Sequence, residues 1–223
     1  MGVQEAADVL IVDDHPVVRR GLKQLLAQET DLAVCGEAAN ARETFKQVDK
    51  QRPDVIVLDI SLGEDNGIPL IRDIHTRFGR IPILVLSIHD ETLYAERAIQ
   101  AGASGYLMKE VPIKTVTEAI RRVLRGEIHL SEKMSTRLVH RMMNRHADIG
   151  DSPLDCLSNR ELEVFELIGH GRGTRQIAER LCVSIKTVET HRSNIKRKLD
   201  LHNAIELLQY ATHWVDHSSN EDS

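Results

Sequence analysis

Five short apolar runs, rich in β-branched residues and separated by segments of helical period, organise the first 125 residues of the chain. They are VLIV (9–12), LAV (32–34), VIVL (55–58), IPILVL (81–86) and SGYLM (104–108). A strand with one wet face alternates polar and apolar residues. A run that stays apolar must be covered on both faces, as a parallel strand between two layers of helix is. The intervening segments, such as Val17, Val18, Gly21, Leu22, Leu25 and Leu26, repeat near the helical period. Five strand–helix units in succession predict a doubly wound α/β domain over residues 1–125, with right-handed crossovers.

The pattern changes after Gly126. Residues 126–156 read as a linker: a polar helix over about 131–145, with Met134, Leu138 and Met142 on one stripe, and then an aperiodic joint, HADIGDSPLDC. Residues 157–215 carry no strand signal and read as an all-α domain of four short helices, followed by an acidic tail, 216–223. The domain opens on Ser158-Asn-Arg-Glu161, a capping box, with Leu157 and Leu162 at the flanking staple positions. A short helix burying Ile177, Ala178 and Leu181 is followed by the turn Cys182-Val-Ser184, with Ser184 as N-cap of a third helix. Two helices joined by so short a turn suggest a helix-turn-helix.

Ligands of an open α/β sheet bind beyond the carboxyl ends of its strands, at the point where strand order reverses. Asp13 and Asp14 end the first run and Asp59 ends the third; with strand order 2-1-3-4-5 these two strands are neighbours and the acids converge. Crowded carboxylates repel, and a hard divalent cation such as magnesium relieves the conflict. Ser87 and Lys109 close the fourth and fifth runs, adding a hydroxyl and a fixed cation. That set makes a pocket for a tetrahedral dianion, with Asp59 as the nucleophile that becomes an aspartyl phosphate. Singly, an Asp at a strand end is a turn residue and a Ser or Lys is a solvated one. Their joint occurrence at the ends of four strands is what points to chemistry.

Composition excludes other classes. The aromatics, three Phe, three Tyr and one Trp, are too few for base-stacking platforms. Cys35, Cys156 and Cys182 are odd in number and far apart, giving neither a disulfide framework nor a zinc ribbon. The eleven His show no metal-ligand spacing and read as surface or packing residues. No apolar run approaches the roughly 18 residues that span a bilayer, and the N-terminal MGVQEAAD lacks the pattern of a signal peptide or a myristoylation site. The expectation is a reduced, cytoplasmic protein with no membrane partner.

The formal net charge of −5 does not announce a nucleic-acid partner, but Lys186 to Lys198 carries Lys186, Arg192, Lys196, Arg197 and Lys198 against the single acid Glu189. On this third helix Val188, Ile195 and Leu199 form one apolar stripe, while Lys186, Glu189, Thr190, Ser193 and Arg197 lie opposite. Such a helix suits a major groove, and equally the outside of a four-helix bundle.

Residues 1–125 resemble the receiver domain of two-component response regulators through VDDHP, VLDIS, LSIHD and GYLMKE. The resemblance implies that Asp59 is the phosphoacceptor, that Asp13, Asp14, Asp59 and the Ser61 carbonyl hold Mg2+, that Ser87 is the switch hydroxyl, and that Lys109 is the conserved-type lysine. Tyr106 would be the rotating aromatic, against the simpler account of a half-buried strand aromatic. Where the family has a Met-Pro-Gly turn this chain has Leu62-Gly-Glu-Asp-Asn-Gly67, whose two extra acids bear on metal affinity and phosphoryl lifetime.

From Leu157 to Leu199 the chain resembles the LuxR-type DNA-binding domain, above all through TVETHRSNI, and with the receiver it matches the NarL/FixJ-type regulators. The resemblance implies that the third helix reads double-stranded DNA. Glu189, Thr190 and Ser193 would face bases. Lys186, His191, Arg192 and Lys198 would favour phosphates or support the fold, and Thr187 and Arg197 count among the DNA-binding residues. Many relatives have Lys at position 189, and an acid there accepts instead from a cytosine amino group. The implied partners are a sensor histidine kinase, RNA polymerase, and a second copy, as a homodimer through the final helix (Ile205, Leu207, Leu208, Tyr210, Trp214), with core packing an equally simple account of Leu207 and Leu208. Two competing functions use the same residues: a metal-dependent phosphohydrolase, which would want an acid at position 61, and a regulator whose receiver only binds other proteins. Among these the expectation is a non-enzymatic, phosphorylation-gated transcription factor.

Overall fold

The computed structural model describes residues 6–62, 65–143 and 153–220, and the chain divides into two compact units, residues 1–143 and 144–223. In the first unit β1 (Ala7–Val12), β2 (Leu32–Ala38), β3 (Val55–Leu58), β6 (Ile83–Ser87) and β7 (Gly105–Met108) form one parallel sheet in the order β2-β1-β3-β6-β7. Two very short strands, β4 (Ser61–Leu62) and β5 (Asp65–Asn66), pair antiparallel in a separate hairpin. Setting that hairpin aside, the order is the expected 2-1-3-4-5. β1 and β2 begin or end beyond the apolar runs, because main-chain pairing continues where side chains turn polar: Glu37 still pairs with Ile11.

Helices α1 (Pro16–Leu26), α2 (Ala41–Gln51), α3 (Gly67–Phe78), α4 (Glu91–Ala101) and α5 (Ile113–Leu124) separate the strands. Val9, Ile11, Val55, Val57, Leu84 and Leu86 are buried against Leu22, Leu25 and Leu26 of α1 and Val116, Ala119, Ile120 and Val123 of α5. Leu10, Ile56 and Leu58 are fully buried too, as strands covered on both faces require. Burying a single side chain of this kind stabilises the fold by about 1.5–3 kcal/mol, so the sheet sets a rigid frame for whatever its strand ends carry.

Gly67 begins α3 where any larger residue would collide: a Cβ there would lie 2.5 Å from the Ile60 Cα. Its N–H donates to the Ile60 carbonyl at 2.9 Å, which folds the chain tightly back after Asp59. The polar helix expected at 131–145 is α6 (Glu132–Met143); its Met134 is buried, Leu138 half-buried and Val139 exposed. Residues 144–152, most of the expected joint, lie outside the described residues, as does Glu64.

Among the described residues the second unit contains a 3-10 turn (Pro153–Cys156) and α7 (Asn159–Gly169), α8 (Thr174–Arg180), α9 (Ile185–Lys198) and α10 (Ala204–Asn220). The capping box forms: Ser158 Oγ accepts from Glu161 N and Glu161 Oε2 accepts from Ser158 N at 2.8 Å. Leu157 and Leu162 are buried beside it. Leu162, Phe165, Ile168, Ile177, Val188, Ile195 and Leu207 supply fully buried side chains to this unit. Cys182 takes a left-handed conformation (φ 52°) in the turn between α8 and α9, and Ser184 caps α9 by accepting from Thr187 N. α10 continues to Asn220, five residues into the stretch read as an acidic tail.

Candidate functional site: an acidic pocket and a recognition helix

The ends of β1 and β3 are adjacent because Val12 pairs with Leu58, so the residues that follow, Asp13 and Asp59, emerge side by side. Both are buried to 2% exposure. Ligand atoms of Asp13, Asp14, His15 and Asp59 all lie within 4.8 Å of one another. Lys109, one residue beyond β7, reaches across the sheet: its Nζ is 2.6 Å from Asp13 Oδ2 and 2.6 Å from Asp59 Oδ2. Its backbone N–H donates to the Ser87 carbonyl at 2.7 Å, which ties it to the end of β6.

Burial pushes the Asp59 carboxyl above its ordinary value; Lys109 opposes that shift and the Asp13 charge adds to it. Burial by itself would lower the Lys109 ammonium, but Asp59 and Asp13 outweigh it and hold the group above the usual Lys value. One ammonium is thus shared between two of three crowded acids. Asp14 Oδ1 is buried and receives no hydrogen bond of acceptable geometry, although His15 Nδ1 lies 2.6 Å away. A buried carboxylate oxygen with no well-formed hydrogen bond, amid three converging acids, fits a hard divalent cation held by oxygen ligands. The sequence gives His15 no role, yet it joins this group; its position directly after Asp13-Asp14 is the signal that could have found it.

The other expected switch residues, at the end of β6 and within β7, both contact His89 in the loop after β6. Ser87 is fully buried, and its Oγ accepts from His89 N at 3.1 Å. Tyr106 is also fully buried rather than half-buried, with its hydroxyl donating to the His89 carbonyl at 2.9 Å. The His89 imidazole lies 2.7 Å from Ser61 Oγ and rests on the Tyr94 ring, centroids 4.6 Å apart. Ser61 N donates to Asp59 Oδ1 at 3.0 Å. His89 therefore links the loop after β3 to the loop after β6. No sequence periodicity marks it, because the link is made by one side chain across 28 residues of chain.

In the second unit, Lys186, Glu189, Thr190, Ser193 and Arg197 of α9 are exposed, and Val188 and Ile195 face inward. Ile185, which sequence reasoning passed over, is 49% exposed at the start of the same helix. Thr187 is half-buried and its hydroxyl is 2.8 Å from Ser184 Oγ, part of the cap. His191 and Arg192 are half-buried as well; burial lowers both, and Glu189 partly offsets the effect on Arg192. Lys198 turns inward to Glu161 Oε2 at 2.6 Å, a contact that serves the fold.

Two known families cover these two units. The family described as "Response regulator receiver domain" matches residues 9–121, and that described as "Bacterial regulatory proteins, luxR family" matches residues 155–211. The chain belongs to the response regulators that join a receiver to a LuxR-type DNA-binding domain. Among curated relatives, the oxygen regulatory protein NreC of Staphylococcus haemolyticus is 37% identical over 207 residues, covering 91% of this chain and 95% of the relative. NreC of Staphylococcus carnosus is likewise 37% identical over the same shares. Among solved structures, the RcsB response regulator of Salmonella typhimurium, described for its conformational dynamism in DNA interaction, matches with TM-score 0.63 at 26% identity. It covers 94% of this chain and 98% of that one. RcsB from Salmonella enterica serovar Typhimurium bound to a promoter with a phosphomimetic matches with TM-score 0.59 at 26% identity, over 93% and 99% of the two chains. The response regulator is thus a two-component DNA-binding protein of the NarL type.

Proposed function

We propose that Asp59 accepts a phosphoryl group from a sensor histidine kinase and that the acyl phosphate raises the affinity of the α9 face for double-stranded DNA. The observation that carries this reading is the meeting of Asp13, Asp14, Asp59 and Lys109, drawn from three strand ends, in one buried cluster. An Asp59 carboxylate oxygen forms the bond to phosphorus as the P–N bond of the donor phosphohistidine breaks, and the imidazole leaves with a proton. Asp13, Asp14, Asp59 and the Ser61 carbonyl would hold Mg2+, which supplies charge neutralisation to the transferring group. Lys109 gives up its hold on the Asp59 carboxylate and stabilises the new dianion, and the Ser87 hydroxyl turns from His89 N to donate to it. Tyr106, already inside, follows the His89 carbonyl.

On DNA, Lys186 and Arg197 meet phosphates, and Glu189, Thr190 and Ser193 face base edges, with Glu189 accepting from a cytosine amino group. Exposed Ile185 suits a thymine methyl group. The half-buried Thr187, His191 and Arg192 set the pose of the helix more than they read sequence. Ile205, 68% exposed, and Leu208, 44% exposed, sit three residues apart on α10 and form the apolar face for a homodimer on paired half-sites, whereas Leu207 belongs to the core. RNA polymerase is the partner through which the bound dimer acts on transcription. No described helix is long and apolar enough to cross a membrane, and we place the protein in the cytoplasm.

Incubation with a small phosphodonor and Mg2+ tests the assignment. Wild-type protein is expected to be labelled at Asp59 and Asp59→Asn is expected to remain unlabelled; stoichiometric labelling of the variant overturns it.

A further inference from the structure

The segment that leaves α5 turns back onto the sheet. Gly126 takes φ 80°, and Glu127 N donates to the Arg122 carbonyl, ending α5 in a tight left-handed turn. The Glu127 carboxylate fixes that turn by pairing with Arg122 Nε at 3.0 Å and Arg125 Nε at 2.7 Å. Two residues on, His129 pairs with the outer edge of β7 as a parallel bridge to Gly105. Tyr106 N donates to the His129 carbonyl at 2.9 Å, and His129 N donates to the Ser104 carbonyl at 3.0 Å. Gly105 is what permits this approach: a Cβ there would lie 2.8 Å from the His129 carbonyl oxygen and 3.0 Å from its Cβ. Ser131 N then donates to Glu91 Oε1, at the start of α4, at 2.9 Å. Met134 of α6 is buried just beyond.

Both anchors of this segment are elements that the phosphorylation site would move. Tyr106, whose backbone N–H holds His129, is the same residue whose hydroxyl holds the His89 carbonyl. Glu91, which holds Ser131, follows His89 and Asp90 in the chain, and His89 N depends on the Ser87 hydroxyl. The geometry points to residues 127–134 as a clasp on the outer edge of β7 and the start of α4, closed in the unphosphorylated receiver and opened by phosphorylation, which frees α6. The inference rests on the proposed role of Asp59. When Ser87 turns to the phosphoryl group, His89 N loses the Ser87 hydroxyl as its acceptor, the start of α4 shifts from Ser131, and the Tyr106–His129 pairing is lost with it. Because α6 leads in sequence to the DNA-binding unit, its release is the step that passes the signal along the chain.

Hydrogen exchange of the full chain, read residue by residue with and without beryllofluoride and Mg2+, tests this, with uptake of beryllofluoride followed separately by fluorine NMR. The amides of Tyr106 and His129 are expected to exchange roughly tenfold or more faster in the loaded protein. They are expected not to change in Asp59→Asn. Unchanged protection in protein that has taken up beryllofluoride overturns the clasp and leaves the phosphoacceptor reading intact. Failure to take it up overturns that reading instead, and two variants then decide the clasp alone. Gly105→Ala, which crowds His129, and Glu91→Ala, which removes the acceptor for Ser131 and leaves the sheet untouched, are both expected to lose His129 protection without any phosphoryl mimic. Wild-type protection in the two variants contradicts the clasp.

Discussion

The two units each contain a lysine pressed against a carboxylate at 2.6 Å, Lys109 on Asp59 and Lys198 on Glu161, and the two pairs behave in opposite ways. Burial raises the Asp59 carboxyl despite its lysine. Burial pushes Glu161 upward too, but Lys198 and the Ser158 backbone and hydroxyl outweigh it and hold that group below its ordinary value. Asp59 is the more deeply buried and has Asp13 as a like-charged neighbour, whereas Glu161 accepts from Ser158 N at the start of α7, where the helix dipole also favours an anion. Distance alone therefore does not tell a structural ion pair from a reactive one. The surplus of like charge around Asp59 distinguishes the two pairs, and carboxyl groups perturbed in this way cluster at functional sites.

Substitutions should separate the two with opposite signs. Glu161→Ala removes the capping box and strands Lys198, and is expected to destabilise the second unit by about 2–3 kcal/mol. The single Trp, Trp214 in α10, makes its fluorescence during urea unfolding the natural readout. Asp59→Asn is expected to stabilise the first unit by roughly 1–2 kcal/mol, since it relieves a buried like-charge cluster. Hydrogen exchange of β3 and β6 amides measures it, and a loss of stability of that size would break the contrast.

The same contrast has a pH signature. Folding holds Glu161 below its ordinary value, so its contribution is present above the unfolded pKa and is lost as pH falls through the folded one. The deficit of Glu161→Ala should therefore shrink only in acid, below about pH 4. Asp59 is held above its ordinary value, so folding penalises its charged form at neutral pH. The advantage of Asp59→Asn should shrink as pH falls through that raised value, which happens at a higher pH than for Glu161. Urea titrations of each variant beside wild type, across this range, check the order. The smallest stability effect is expected at Glu189, an exposed position: Glu189→Lys should change stability by under about 0.5 kcal/mol. It should nevertheless move base preference at one position of a selected site by about 1–3 kcal/mol, read by binding-site selection on both proteins.

Much of the first unit was legible because its strands are uninterrupted apolar runs, and a strand's last residue is where a sheet presents its chemistry. Asp13, Asp59 and Lys109 do lie together, and they and Ser87, at or one residue beyond the strand ends, were singled out in that way. The β4–β5 hairpin was not, since two-residue strands leave no periodicity. Nor were His89 and His129, whose contacts join segments far apart in sequence and follow no periodicity. On α9 the stripe of Val188 and Ile195 was legible at the helical period, but the depth to which His191 and Arg192 sink is decided by the helices packed around them. The inward turn of Lys198 became visible only with Glu161 beside it.

Coupling between the two units is the central claim, and affinity for a selected DNA site, measured on the full chain with and without a small phosphodonor and Mg2+, tests it most directly. Binding is expected to tighten on phosphorylation in the wild-type protein and to stay at the basal level in Asp59→Asn. Equal affinity of labelled and unlabelled wild-type protein, or tightening in Asp59→Asn, would contradict a switch operated through Asp59.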